Sequence, residues 1–273
     1  MSGMFILIDI GGTKIRFAGS HVLHQFSEPL ILDSPQQYEE GVSLIARVAR
    51  NIAGTDPIEG VAIGVPAVLS EDRRSVLKTP PHHADWIDRP LADDVETLLE
   101  ADAYIENDTA LVGLGEAVFG AGKGASIVAY MTISTGVNGV RIVDGMIDHT
   151  LRGFEVGGQY LDGDNTLEEL VSGTAIEGRF GVHPKELGMG HPVWEELAIV
   201  LAYGVHNSIL HWSPEIFILG GSMMNEVGIP VERVGSHVRD LMQKLPDVPP
   251  IVHSSLGDVG GLWGGLARLR ATR

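Results

Sequence analysis

LIDIGGTKIRFAG, residues 7–19, places an aspartate and two glycines between two apolar stretches. Met4 to Ile10 follows the pattern of a buried strand, Gly11-Gly12 signals a turn, and an extended pattern resumes from Lys14 to Ala18. The segment therefore predicts a β-hairpin with Asp9 beside its turn. Glycines in such a turn let several backbone N–H groups point one way, which suits phosphate. An ordinary tight hairpin is the alternative.

The same strand–glycine turn–strand unit returns in the middle of the chain. The apolar segment 126–134 leads into TGVNG at 135–139, and a second apolar segment follows at 140–143. A third glycine pair, Gly220-Gly221, ends the short strand predicted at 216–219. Strands and helices alternate elsewhere, which indicates the α/β class.

Because the two hairpins begin separate halves of the chain, the sequence predicts two related α/β domains. We expect an N-terminal domain over residues 1–108 and a C-terminal domain over residues 109–259. The last helix, about 260–273, is expected to pack back on the first domain.

Composition excludes several classes of function. The chain has 273 residues, 44% of them hydrophobic, which is enough for two cores. A formal net charge of -17 argues against a surface for nucleic acid or anionic membrane. The absence of cysteine excludes disulfides and thiolate metal sites. With no bilayer-length apolar run and no signal peptide, we expect a soluble cytoplasmic protein.

Two acidic residues end predicted strands. Asp9 suits Mg²⁺ held through water, or else is a structural aspartate bound by turn N–H groups. In ENDTALVGLGE, residues 106–116, Asn107 and Asp108 end a strand and begin a helix. Asp108 is either the helix N-cap or a base that accepts the proton of a hydroxyl attacking a phosphoryl group.

Other candidates have plainer alternatives. Glu155 lies among glycines in RGFEVGG and binds a hydroxyl-rich ligand or is solvated. Glu168 and Glu169 begin a helix, where negative charge favours the helix dipole. The stretch FGAGKGAS, residues 119–126, contains partial nucleotide motifs, but a helix precedes it and a strand follows, so we expect a loop.

Taken together, these motifs resemble the ROK family of sugar kinases, within the actin–Hsp70–hexokinase superfamily. The resemblance covers nearly the whole chain, and the motifs match in order and spacing. The matching segments are DIGGTKIR, ENDTALVGLGE, TISTGVNG, LEELVSGTAI and ILGGS. The resemblance implies an α/β fold of two ribonuclease H-like (actin-like ATPase) domains with a cleft between them. It also implies a homodimer.

The resemblance further implies a role for each matching residue. Asp9 would lie near Mg²⁺, Asp108 would be the general base, and Asn107, Glu155 and Glu168 would contact the sugar. The residues implied in ATP binding are Gly11, Gly12, Thr13 and Lys14 in the first loop, Thr135, Gly136 and Gly139 in the second, and Gly220 and Gly221 at the adenosine.

The chain departs from the family pattern on the sugar side. Gly158 stands in place of the histidine of the family's Glu-x-Gly-His, and Pro81 in place of an asparagine before a tryptophan. His82 or His83 would compensate, unless both are ordinary loop histidines. The zinc-binding cysteines are replaced by Gln159, Leu161 and Thr166, so we expect no zinc.

The expected function is ATP- and Mg²⁺-dependent phosphorylation of a hydroxyl of a hexose or related sugar. Two alternatives stay open: a non-catalytic sugar sensor, and a phosphotransferase of the same superfamily that acts on a non-hexose substrate. A DNA-binding repressor is disfavoured, because the chain begins at its first strand and is acidic.

Overall fold

The computed structural model describes residues 3–225 and 227–273. The chain divides into two compact units. Unit 1 consists of Met1–Gly115, His149–Gly153 and Asp258–Arg273, and unit 2 of Glu116–Asp148 and Phe154–Gly257. The boundary expected from sequence, after Asp108, lies at the start of a helix that the division cuts after Gly115.

The described residues of unit 1 form seven strands and four α-helices, the last of which is the final α-helix of the described chain. The strands are β1 (Met4–Ile10), β2 (Lys14–Ser20), β3 (Leu30–Asp33), β4 (Ile58–Val65), β5 (Val68–Leu69), β6 (Val76–Lys78) and β7 (Ala103–Asn107). The helices are α1 (Tyr38–Ala53), α2 (Leu91–Leu99), α3 (Asp108–Val118), whose last residues belong to unit 2, and α8 (Gly260–Arg270).

The main sheet of unit 1 has the order β3-β2-β1-β4-β7. β1 pairs antiparallel with β2 and parallel with β4, and β4 pairs parallel with β7. Because side chains alternate along a strand, β1 is covered on both faces. Ile6, Ile8 and Ile10 join the core formed with α1 and α2, whereas Leu7 faces Gly265 of α8. Asp9 lies on the α8 face at the carboxyl end of β1.

Where unit 2 is described, it contains five strands and four α-helices. The strands are β8 (Ile127–Ile133), β9 (Val137–Val143), β10 (Met146–Ile147), β11 (Ile216–Gly220) and β12 (Ile251–His253). The helices are α4 (Leu167–Val171), α5 (Gly173–Phe180), α6 (Val193–Trp212) and α7 (Val231–Leu241).

The sheet of unit 2 has the order β10-β9-β8-β11-β12, with β8 antiparallel to β9 and β11 parallel to β8 and β12. The long helix α6 packs against α4 and α7. The predicted α/β class and the two glycine-turn hairpins are confirmed, with two five-stranded sheets of mixed pairing.

The helix predicted around residues 167–176 is wrong in one respect, since two helices meet there. Ser172 has an extended backbone, and its hydroxyl accepts a hydrogen bond from the Ala175 N–H at 3.1 Å. This bond caps α5 and ends α4, because a serine side chain competes with the helical pattern. No helix within the described ranges is long and apolar enough to cross a membrane.

Candidate functional site

Asp9 lies at the carboxyl end of β1 between two neighbouring strands. Its direct partners are Arg16 on β2 and Gly64 on β4. Burial raises the pKa of the Asp9 carboxyl to about 7, helped by the nearby Asp108 and Asp258 and opposed by Arg16. A nearby cation would favour the ionised form of Asp9, so this carboxylate is suited to bind one.

Two glycines make room for this carboxylate. A Cβ atom added to Gly261, in the first turn of α8, would lie 2.6–2.8 Å from the Asp9 carboxylate atoms. A Cβ added to Gly64 would lie 3.4 Å from both Asp9 Oδ1 and the Asp108 Cα. Asp9 and Asp108 therefore flank the same glycine at the ends of β1 and β7.

Asp108 is the first residue of α3 and is not its cap. The cap is Asn107, whose Oδ1 accepts the Ala110 N–H at 3.2 Å while its Nδ2 donates to the Ala67 carbonyl at 3.2 Å. Asp108 Oδ1 accepts the Thr109 N–H at 2.7 Å, and no donor within the described residues reaches its Oδ2. Burial raises the pKa of the Asp108 carboxyl, although the bonds from Thr109 act against the rise.

The first glycine loop is closed by its own backbone. Gly11 donates its N–H to the Lys14 carbonyl at 2.8 Å, and Ser34 donates to the Thr13 carbonyl at 3.0 Å. The Gly12 and Thr13 amides have no partner in the part of the chain that is described. Lys14 forms an exposed ion pair with Asp33 at 2.6 Å, and its role at the phosphates stays a prediction.

Three buried polar side-chain atoms of the described chain have no hydrogen-bond partner, and all three belong to residues beside this loop. They are Arg16 Nε, His82 Nε2 and His83 Nδ1. His82 lies directly on the loop, since a Cβ added to Gly12 would be 2.9 Å from its Nε2. Buried polar atoms without partners need an explanation such as an absent anion or water. The loop, Arg16 and Asp9 thus fit a phosphate group with its divalent cation.

The second glycine loop joins β8 to β9 in unit 2. It is shorter than expected, because Gly139 lies within β9, paired with Met131. Ser134 donates its N–H to the Gly136 carbonyl at 2.8 Å, and Thr135 is exposed at the tip. Glu168 lies on this loop, with its Oε2 accepting the Val137 N–H at 2.8 Å.

The remaining predicted residues of unit 2 lie at the end of β11 and in loops. Gly220 ends β11, and Gly221 has a φ of 94° where a side chain would collide with the Ile133 carbonyl. Glu155 is exposed and precedes a 3₁₀ turn over Val156–Gly158. No atom lies within 4 Å of a Cβ added to Gly158, so space does not exclude a side chain there. In the described ranges, no group of three or more histidine or acidic residues is arranged to hold a metal ion.

Arg16 and Gly261 were missed by sequence reasoning. The sequence does contain a signal for Arg16. Side chains alternate along a strand, so an arginine between the buried Ile15 and Phe17 points to the opposite face of the sheet. For Gly261 no local signal exists, since its role depends on where α8 meets β1.

Known proteins resemble this chain along most of its length. The family model described as the ROK family matches residues 5–271. A fructokinase of Pediococcus pentosaceus is 24% identical over 97% of this chain and 96% of its own. A ROK family glucokinase from Streptomyces griseus, in complex with glucose and AMPPNP, has a TM-score of 0.82 and 24% identity over 98% of this chain and 99% of that one.

A third similar structure is a ROK family transcriptional regulator, a homologue of the E. coli MLC protein. It has a TM-score of 0.85 at 17% identity, over 99% of this chain and 78% of that one. These likenesses show the actin-like ATPase fold of ROK proteins. Since the family model covers nearly every residue, the chain belongs to the ROK family.

Proposed function

We propose that this protein transfers the terminal phosphoryl group of ATP to a hydroxyl of a hexose or related sugar, with Mg²⁺. The observation that carries the proposal is the Asp108 carboxylate. Asn107 caps α3, so Asp108 does not, and Asp108 and Asp9 lie on either side of Gly64. The similar glucokinase holds glucose and AMPPNP, and the similar curated relative is a fructokinase.

Asp108 is the general base of the proposed reaction. Its Oδ2 is open to accept a proton, and its raised pKa makes it a stronger base than an ordinary aspartate. As the sugar oxygen forms its bond to the phosphorus atom, the hydroxyl proton passes to Asp108. The bond from phosphorus to the bridging oxygen breaks, and ADP leaves with that electron pair.

Asp9, Arg16 and the first loop fit the phosphates and their cation. The free amides of Gly12 and Thr13 and the unpartnered Arg16 Nε are donors for phosphate oxygens. Asp9 would hold Mg²⁺ through water, which suits a single carboxylate and an ion that dehydrates reluctantly. Mg²⁺ would neutralise charge that develops on the phosphates. In unit 2 we assign Thr135, Gly136 and Gly221 to the nucleotide.

On the sugar side, Asn107, Glu155 and His82 are the proposed contacts. The Asn107 side chain keeps one free N–H and one free lone pair beside its two structural bonds. Gly158 and Pro81 remove two contacts that ROK sugar kinases carry. We therefore expect a changed preference among sugars rather than a loss of chemistry.

The test is sugar-dependent ADP release by purified protein with ATP and Mg²⁺. Glucose, mannose, fructose, allose, N-acetylhexosamines and polyols form the panel. Asp108→Asn is expected to lower turnover by about 10²- to 10⁴-fold, because it removes the base. It should leave ATP affinity unchanged, since the Asn107 cap and an acceptor for Thr109 remain.

Asp102→Asn, at the exposed residue just before β7, is the matched control and should turn over like the wild type. Undiminished turnover in Asp108→Asn would contradict the base assignment. ATP binding without ADP release on any sugar would favour a sensor or a non-hexose acceptor.

A further inference from the structure

Glu168 contacts the second glycine loop directly. Its Oε2 accepts the Val137 N–H at 2.8 Å, and a Cβ added to Gly136 would lie 2.6 Å from the same oxygen. Glycine is therefore required at 136 partly because this carboxylate occupies the space. The bond joins α4 to the point where the loop enters β9.

The start of α5 holds the other side of the loop. Gly173 donates its N–H to the Ser134 carbonyl at 2.7 Å, and the Thr174 hydroxyl donates to the Thr135 carbonyl at 2.8 Å. These bonds use the carbonyl groups of the loop. The Thr135 and Gly136 amides have no partner among the described residues, so they are the donors left for a ligand.

The backbone that carries Glu168 is anchored independently. Thr166 and Glu169 form a reciprocal capping box at the start of α4. Leu167 is fully buried against α6, where a Cβ added to Gly204 would lie 2.6 Å from a Leu167 methyl group. The position of the Glu168 carboxylate thus follows from a packed helix and needs no ligand.

We infer that Glu168 is a positioning residue for nucleotide binding, which acts by holding the Val137 amide so that the Thr135 and Gly136 amides face a phosphate group. This inference rests on the proposed function for the nucleotide, and it adds a second role to the sugar contact that the family resemblance implies for the same side chain. The loop requires Glu168 as a hydrogen-bond acceptor and does not require its charge. The negative charge itself opposes a bound anion.

Glu168→Ala and Glu168→Gln separate the acceptor from the charge. Glu168→Ala is expected to weaken equilibrium ATP binding, measured by calorimetry, by roughly three- to tenfold, because one ordering hydrogen bond is lost. Glu168→Gln keeps an acceptor oxygen and should bind ATP at least as tightly as the wild type. The KM for ATP should rise in Glu168→Ala by a similar factor when the sugar is saturating.

Glu169→Ala is the matched control. It breaks the capping box on the same helix, so it should lower the melting temperature without changing ATP affinity. A loss of ATP affinity in Glu169→Ala equal to that in Glu168→Ala would overturn the inference, because general weakening of α4 would then explain both.

A readout without substrate comes from hydrogen exchange at the Val137 amide of the apo protein. Exchange should be faster in Glu168→Ala and close to wild type in Glu168→Gln. A raised KM for the sugar in both variants, with unchanged ATP affinity and unchanged Val137 exchange, would leave the sugar contact as the one role of Glu168 and overturn the inference. Calorimetry and exchange need no turnover, so a failure of the proposed kinase reaction is distinguishable from a failure of this inference.

Discussion

His83 is a buried histidine held in its neutral form. Its side chain is 1% exposed, and its Nε2 lies 3.2 Å from the Ser34 hydroxyl. Its ring packs at right angles to Trp86. Burial, together with the smaller effect of the neighbouring His82, lowers the pKa of His83 to about 4. A cation in this place would lose its hydration without gaining a partner.

We predict that His83 makes the fold sensitive to acid. The pKa of this histidine is about 6.5 in the unfolded chain and about 4 in the folded one. Between these two pH values the unfolded chain binds a proton at His83 that the folded chain does not. The free energy of unfolding is therefore highest above about pH 6.5. It falls by up to about 3 kcal/mol as the pH decreases through the pKa of the unfolded chain towards that of the folded one. Chemical denaturation at pH 7.5, 6 and 5 measures it.

His83→Gln keeps a group that can bond to Ser34 and does not titrate, so its free energy of unfolding should fall less between pH 7.5 and 5. His24→Gln, at an exposed histidine, should follow the wild type. The same acid dependence in wild type and His83→Gln would show that His83 is not the titrating group.

The sequence could not choose between two roles that suit the same residue type. The sequence left Asp108 as either cap or base, because aspartate and asparagine both cap helices well. The outcome depends on the helix beginning at Asp108, which makes Asn107 the cap. The ion pair between Lys14 and Asp33 was not predictable, since β3 was not predicted and its end brings that carboxylate alongside.

At the scale of elements, α8 is stabilised by close packing rather than by helix propensity. Gly260, Gly261, Gly264 and Gly265 each cost about 1 kcal/mol relative to alanine in a helix. Side chains added at Gly261 and Gly264 would collide with Asp9 and with the Leu111 carbonyl of α3. Leu262, Leu266 and Leu269 are almost fully buried and anchor the helix. The glycines let α8 approach β1 closely enough to form one wall of the Asp9 site.

Alanine at two helical glycines should therefore have opposite effects. Gly178→Ala, at an exposed position in α5 with no atom within 4 Å, should raise the free energy of unfolding by about 0.5–1 kcal/mol. Gly261→Ala should lower it by about 1–3 kcal/mol, because the new methyl group meets the Asp9 carboxylate. Urea denaturation measures both. Equal stabilisation by the two substitutions would contradict the close approach of α8 to Asp9.

Elements with strong periodicity were predictable, and those set by tertiary contacts were not. α2 has the predicted bounds, Leu91–Leu99, and β1 likewise Met4–Ile10. α7 was not predicted, although Val231, Val234 and Val238 recur at helical spacing and are buried. The edge strand β3 is only four residues long and mostly exposed, so its pairing with β2 defines it.

At the scale of the whole molecule, the two units repeat one strand order. In each, an antiparallel hairpin is extended by a third strand on one edge and by two parallel strands on the other. The sequence predicted this duplication from the two glycine turns alone, because a strand–turn–strand unit is a local feature. The return of residues 149–153 to unit 1 has no local signal, since it depends on contacts made by segments far apart in the chain.

Glu116 illustrates a family motif residue with a structural role. It is fully buried in unit 2, near the point where the chain enters that unit. Its carboxylate accepts the N–H groups of Ser255 and Leu256 at 2.8 Å, the Ser255 hydroxyl at 3.0 Å and the Ala121 N–H at 2.9 Å. Four donors satisfy the buried charge, and the bonds join the segment entering unit 2 to the one leaving it.

We predict that Glu116→Ala lowers the free energy of unfolding by about 2–4 kcal/mol, because buried donors lose the acceptor that they share. Glu116→Gln should cost less, about 1–2 kcal/mol, since one amide oxygen remains while its NH₂ group faces a donor. Glu177→Gln, at an exposed residue of α5, is the control and should change little.

Hydrogen exchange resolved by peptide localises the effect. Faster exchange in Glu116→Ala is expected first around residues 119–126 and 251–257, where the carboxylate is bonded, and then through the sheet of unit 2. If exchange rises equally in β1 and β4, loss of Glu116 acts on the whole chain and not through the join within unit 2. A wild-type exchange pattern would mean that water replaces the carboxylate at four donors, which a fully buried site leaves little room to do.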